Sequence, residues 1–163
     1  MMSSYVDRIL RYLGDREPLE VLAATPSRLE DFFWELGDAG LERAAAPGKW
    51  SARTIFSHIA DAEIAMAFRF RQVLSEEHHR VQPYDQDAWT ARDGSADASL
   101  ALEVFRAVRL WNLGLLRSLP PAEFDRMTSH PERGEESLGL MVRLLAGHDL
   151  NHIAQLETIA QAR

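Results

Sequence analysis

Residues 75–98 read SEEHHRVQPYDQDAWTARDGSADA, 24 residues between two strongly helical patterns. Antiparallel neighbours in a helix bundle are usually joined by about 2–8 residues. A chain this long, at ~3.3 Å per residue, can span a bundle more than once. The helices on either side can therefore run parallel, joined by a crossover. Val81, Tyr84 and Trp89 within it predict a segment that packs rather than floats.

Working outward from the crossover, the chain shows four long helices and almost no strand signal. Alternating runs of Val, Ile and Thr are missing, and Ala and Leu are abundant. A short helical piece at Tyr5–Leu13 leads into a first long helix over Glu17–Leu36. Pro18 suits its first turn, Pro26 predicts a kink or break near Thr25, and Gly37 and Gly40 are its stop signals. The second helix opens with Ser51 as N-cap and Trp50 before it, and runs to about Leu74. Ile55, Ile59, Ala62, Met66, Phe70 and Val73 form its apolar stripe. The third starts near Ser99 and ends before Pro120 and Pro121. The fourth runs from about Ser137 nearly to the end, with a stripe of Leu138, Met141, Leu145, His148, His152, Leu156 and Ile159. At 1.5 Å per residue each spans roughly 30–39 Å. Matched lengths and stripes predict an all-α four-helix bundle, with residues 1–163 as one domain.

Composition narrows the function. With no cysteine, disulfide frameworks, thiolate nucleophiles and cysteine-rich zinc sites are excluded. A net charge of −7 with no visibly basic face argues against nucleic acid and anionic membranes as partners. MMSSYVDRILRYLGDRE has no apolar core of the signal-peptide kind, and no apolar run approaches the ~20 residues of a membrane span. A cytoplasmic protein is the expectation. Glycine-rich phosphate loops, GxSxG elbows and HExxH motifs are absent.

The six histidines are not equivalent. His78 and His79 read as exposed crossover residues. His130 sits in TSHPERGEES, a polar turn before the last helix, and can line the mouth of a site. His148 and His152 are four residues apart on a buried stripe, which puts them on one helix face. His58, between Ile55 and Ala62, also points inward. A buried imidazole needs partners for its ring nitrogens, so a hydrogen-bonded core cluster and a metal site both fit the spacing. The third histidine, on another helix, makes a metal site the economical answer. Three imidazoles leave coordination positions open, as in catalytic sites. The set suits Zn²⁺, Ni²⁺ or Fe²⁺. Asp61 and Asp149 are candidates to orient the ligands. Arg69, which returns to the face of His58 three turns on, Asp85, Trp89, His130, Asn151 and Gln155 are candidate substrate contacts.

Three segments carry a family resemblance. KWSARTIFSHIADAEIAMAFRFRQVL resembles the second helix of DinB-like proteins, with its tryptophan-serine entry and H-x-x-D-x-E continuation. PYDQDAW resembles the crossover of one subgroup. SHPERGEESLGLMVRLLAGHDLNHIAQLE resembles that subgroup's H-P-x-x-G turn and terminal H-D-x-x-H-x-x-Q helix. The resemblance spans about Pro18 to Ala160. It implies an up-down-down-up bundle, often a homodimer, with one divalent metal held by His58, His148 and His152. It further implies transfer of a low-molecular-weight thiol to an electrophilic small molecule. The alternatives are a metal-dependent hydrolase and a non-catalytic, dimeric metal-binding module.

Overall fold

The structure is a computed structural model that describes residues 4–93 and 97–162; positions 94–96 of the crossover lie outside the described residues. The helices are α1 (Ser4–Leu13), α2 (Pro18–Leu41), α3 (Ala52–Ser75), α4 (Gln86–Asp93), α5 (Ala98–Ser118) and α6 (Leu138–Gln161). A 3-10 turn at Pro121–Asp125 precedes two short strands, β1 (Met127–His130) and β2 (Gly134–Ser137). The cap expected at Ser51 forms, and Ser137, near the expected start of the last helix, caps it. Ser51 accepts from the Thr54 amide at the start of α3, and Ser137 accepts from the Leu140 amide at the start of α6. Among the described residues no helix is long and apolar enough to cross a membrane.

The long helices α2, α3, α5 and α6 form the bundle, and its core lies in two main clusters. One joins Leu29 and Leu36 of α2 to Ile55 and Phe56 of α3, Leu102 and Phe105 of α5, and Ile153 and Leu156 of α6. The other joins Leu22, Phe70, Leu113, Leu116, Met141 and Leu145. The first cluster thus takes the late part of α2 and α6 but the early part of α3 and α5; the second takes the reverse. Helices α3 and α5 therefore run parallel, against α2 and α6, which is the up-down-down-up order. The helix α1 adds Val6 and Ile9 against Leu144 on α6. At Gly147 a β-carbon would collide with the backbone carbonyl of Ile9, so the glycine lets α1 approach α6 backbone to backbone.

Three sequence expectations need correction. Helix α2 continues through Pro26 without a break near Thr25, and its non-helical residue is Gly37 (φ 57°, ψ −178°). Proline removes the N–H that would have bonded the carbonyl four residues back, that of Leu22. The guanidinium of Arg109 donates to that carbonyl instead, at 3.0 Å. TSHPERGEES is not simply a turn but an antiparallel hairpin, with His130 paired to Gly134 (φ 82°) across a three-residue loop. His79 is buried at 8% exposure, and its carbonyl accepts from the Ser129 amide and the Thr128 hydroxyl. The Val81 amide donates to Ser129, so the early crossover runs beside β1 in parallel. The crossover thereby packs as expected, and it carries its own helix, α4.

Candidate metal centre

His58 lies on the inner face of α3, and His148 and His152 lie on α6 where one core cluster gives way to the other. The Nε2 of His148 is 2.9 Å from that of His58 and 3.1 Å from that of His152. One ligating atom from each of the three falls within 4.8 Å of the others. A ring nitrogen offers a single in-plane position, a lone pair or an N–H. It cannot complete hydrogen bonds to two neighbours, so mutual hydrogen bonding leaves this cluster under-satisfied. A tetrahedral ion at ~2.0–2.1 Å from each nitrogen sets neighbouring nitrogens about 3.3 Å apart, close to the observed spacing. These residues fit a metal.

The electrostatics agree. Burial, then the charge of His152, lowers His58 from 6.5 to about 3. Burial lowers His152 to about 4 against the pull of Gln155. Burial, then the neighbouring rings, holds His148 well below its ordinary value. The three rings are therefore neutral near pH 7, the state that ligates a metal. The Nδ1 of His152 is 2.9 Å from the Oε1 of Gln155, a contact that places the proton on Nδ1 and leaves the Nε2 lone pair facing its neighbours. The Nδ1 atoms of His58 and His148 are buried without a hydrogen-bond partner. Trp50, just outside the N-cap of α3, covers the site, with its ring 4.8 Å from His58 and stacked at 6.3 Å on His152.

A cavity of about 830 Å³ touches the triad at His148. Met66, Met141, Leu144 and Leu145 give it an apolar wall, and Arg69, Asp85 and His130 line it with Tyr84 and Arg133. His130 is buried, its Nδ1 accepts from the Glu132 amide, and burial followed by the Arg133 charge lowers its pKa. Asp85 accepts from the amides of Asp87 and Ala88, which caps α4. Trp89, Asn151 and Gln155 are not on the cavity wall. Trp89 packs on Tyr84 at 4.7 Å, and Gln155 holds His152. Asp61 is half-buried and makes no hydrogen bond to the outer nitrogen of His58.

Asp149 turns away from the rings. Both of its oxygens bond Arg109, at 2.6 and 3.2 Å. Arg109 also donates to Glu63 at 2.7 Å, and Asn112 donates to the other Glu63 oxygen at 2.7 Å. Burial alone would lower the pKa of Arg109, but the two carboxylates outweigh it and hold the guanidinium charged. This network of one cation and two anions lies close enough to the histidines for Arg109 to act on His148 and Asp149 on His152. The sequence reading missed it. Its signal was there in two polar residues at core spacing: Glu63 four after Ile59, and Arg109 four after Phe105.

The family model of the DinB superfamily matches residues 22–156. Among curated proteins, "Putative metal-dependent hydrolase YfiT" of Bacillus subtilis is 29% identical over 88% of this chain and 82% of its own length. A protein of Oceanobacillus iheyensis with the same descriptive name is 26% identical over 85% of this chain and 81% of its own. The solved structure of YfiT, described as an unusual four-helix bundle topology, superposes with a TM-score of 0.83 at 28% identity, covering 88% of this chain and 84% of that one. A mycothiol-dependent maleylpyruvate isomerase shares the fold, with a TM-score of 0.67 at 14% identity over 95% of this chain and 63% of the isomerase.

Proposed function

For a chain that belongs to the DinB superfamily, we propose a divalent-metal-dependent enzyme in which His58, His148 and His152 are the protein ligands and Zn²⁺ or Ni²⁺ the ion. The observation that carries this reading is the convergence of three neutral imidazoles, two buried and His148 half-buried, beside a cavity. Such an ion would supply Lewis acidity, acidifying a bound thiol or water and polarising a carbonyl. Gln155 fixes the tautomer and plane of His152. Trp50 shields the rings from solvent on one side, and the methionine and leucine wall gives the substrate an apolar surface.

The reaction we assign is transfer of a low-molecular-weight thiol to an electrophilic small molecule, the activity implied by the sequence resemblance. The names of the Bacillus and Oceanobacillus relatives favour a second reading, metal-dependent hydrolysis. Turnover assays decide between them. Protein reloaded with metal is expected to consume thiol and electrophile in equal amounts, and a chelator is expected to stop it. Ester or amide cleavage without thiol would favour the hydrolase. Turnover that persists in metal-free protein would refute both. An intact metal site without turnover against a broad panel of thiols, electrophiles and hydrolysable substrates would favour a non-catalytic module. The resemblance also implies a homodimer. Light scattering is then expected to give about 37 kDa, twice the 18.5 kDa chain.

A further inference from the structure

Two arginines are buried among the described residues, Arg69 at 8% exposure and Arg109 at 1%. They are treated differently by the fold. Arg109 is matched by Glu63 and Asp149. Among the described residues Arg69 has no carboxylate partner within ion-pair distance. Its guanidinium donates to the Gln82 carbonyl at 3.0 Å, lies 4.0 Å from the sulfur of Met66, and sits 5.6 Å from the centre of the Tyr84 ring. The neighbouring Arg133 is already neutralised through two hydrogen bonds to Glu136, at 2.8 and 3.0 Å. A buried charge without a partner is costly, and this one lines the same cavity as His148.

We propose that Arg69 is the anion receptor of this cavity, and that the substrate is a small molecule carrying a carboxylate at the end remote from the atom that meets the histidines. The assignment of the near end rests on the metal reading; the assignment of Arg69 rests on its unmatched burial. The planar guanidinium fork fits a carboxylate through paired hydrogen bonds. Asp85 and Glu132 also line the cavity, and their charge disfavours a phosphate dianion relative to a carboxylate. Arg69 lies eleven residues after His58, ~16 Å along the helix, less the reach of the two side chains. The apolar wall between these ends calls for a hydrocarbon spacer.

The probes are ω-mercapto acids of three to eight carbons, their amides, and the same acids and amides without sulfur. Calorimetry on metal-free protein and visible absorption of Co²⁺-loaded protein are the two readouts. At the best-fitting length the carboxylate is expected to bind roughly ten- to a hundredfold more tightly than the amide, the range of a hydrogen-bonded charge. That preference disappears in Arg69→Gln, which keeps a donor for the Gln82 carbonyl and so guards the fold. Equal binding of acid and amide by the wild type, or a preference retained in Arg69→Gln, overturns the proposal. A cobalt spectrum unmoved by every thiol would instead count against the metal-bound thiol, while the acid–amide difference in metal-free protein still judges Arg69.

Discussion

At the scale of residues, the Nε2 of His148 faces two other ring nitrogens at hydrogen-bond distance with one position to offer. That geometry has a pH signature. His58 and His152 are lowered to about 3 and 4, against an ordinary value of 6.5 that the unfolded chain recovers. Between those limits the unfolded state binds more protons than the folded one, so stability rises with pH. Metal-free protein is expected to lose stability as pH falls through about 6.5 towards 4, with a shallower slope in His152→Gln. Denaturant melts across that range, identical in slope for the two proteins, would contradict the burial argument. Metal-loaded protein should release its ion over the same acidification, because protons compete for the same nitrogens. Gln155→Leu leaves all three ligands but removes the acceptor that orients His152. Partners of this kind are worth roughly 10- to 100-fold in metal affinity, and competition with a chromogenic chelator would measure the loss.

At the scale of elements, Pro26 and Arg109 form a pair whose members lie on different helices. The proline takes a donor from the Leu22 carbonyl, and the arginine supplies one while it neutralises Glu63 and Asp149. Arg109→Met removes the cation shared by two buried carboxylates and the donor of a carbonyl, a loss of about 3–5 kcal/mol for breaking a buried pair. Pro26→Ala restores the intrahelical N–H, so the double variant should be more stable than the sum of the single changes predicts. Strict additivity in urea melts would show that the carbonyl is not the link. A second element contact is as specific. Gly147→Ala drives a methyl into the backbone of Ile9 and should cost about 1–3 kcal/mol as overpacking. Deletion of α1 should relieve that penalty.

The elements also show what could be read in advance. The caps at Ser51 and Ser137 and the stripes of α3 and α6 are local signals, and they placed the helices that carry all three histidines. The 24-residue crossover allowed the parallel pair. The strands were illegible because each is only four mostly polar residues, and β1 draws further support from a distant segment. Ser129 finds its partners at His79 and Val81, some fifty residues earlier, and no alternation within four-residue strands announces that. The unbroken passage through Pro26 was illegible because the compensating donor arrives from α5. Asp149 looked like a partner of His148 by adjacency. Adjacent residues on a helix point about 100° apart, and its carboxylate meets Arg109 instead.

At the scale of the whole molecule, the bundle brings a neutral histidine cluster, a net-negative buried network and a cavity to one place between its two cores. Metal bound only by the folded state stabilises it by mass action, about 2.7 kcal/mol at a hundredfold excess over the dissociation constant. Thermal melts should rise with Zn²⁺ or Ni²⁺ in the wild type and stay flat in His152→Ala. The central claim meets its most direct test in elemental analysis of protein purified without a histidine tag, incubated with Zn²⁺ and Ni²⁺ and freed of excess ion, wild type beside His152→Ala. The account predicts one ion per wild-type chain and a sharp loss in the variant. A wild type without stoichiometric metal, or a variant that retains it in full, would contradict it.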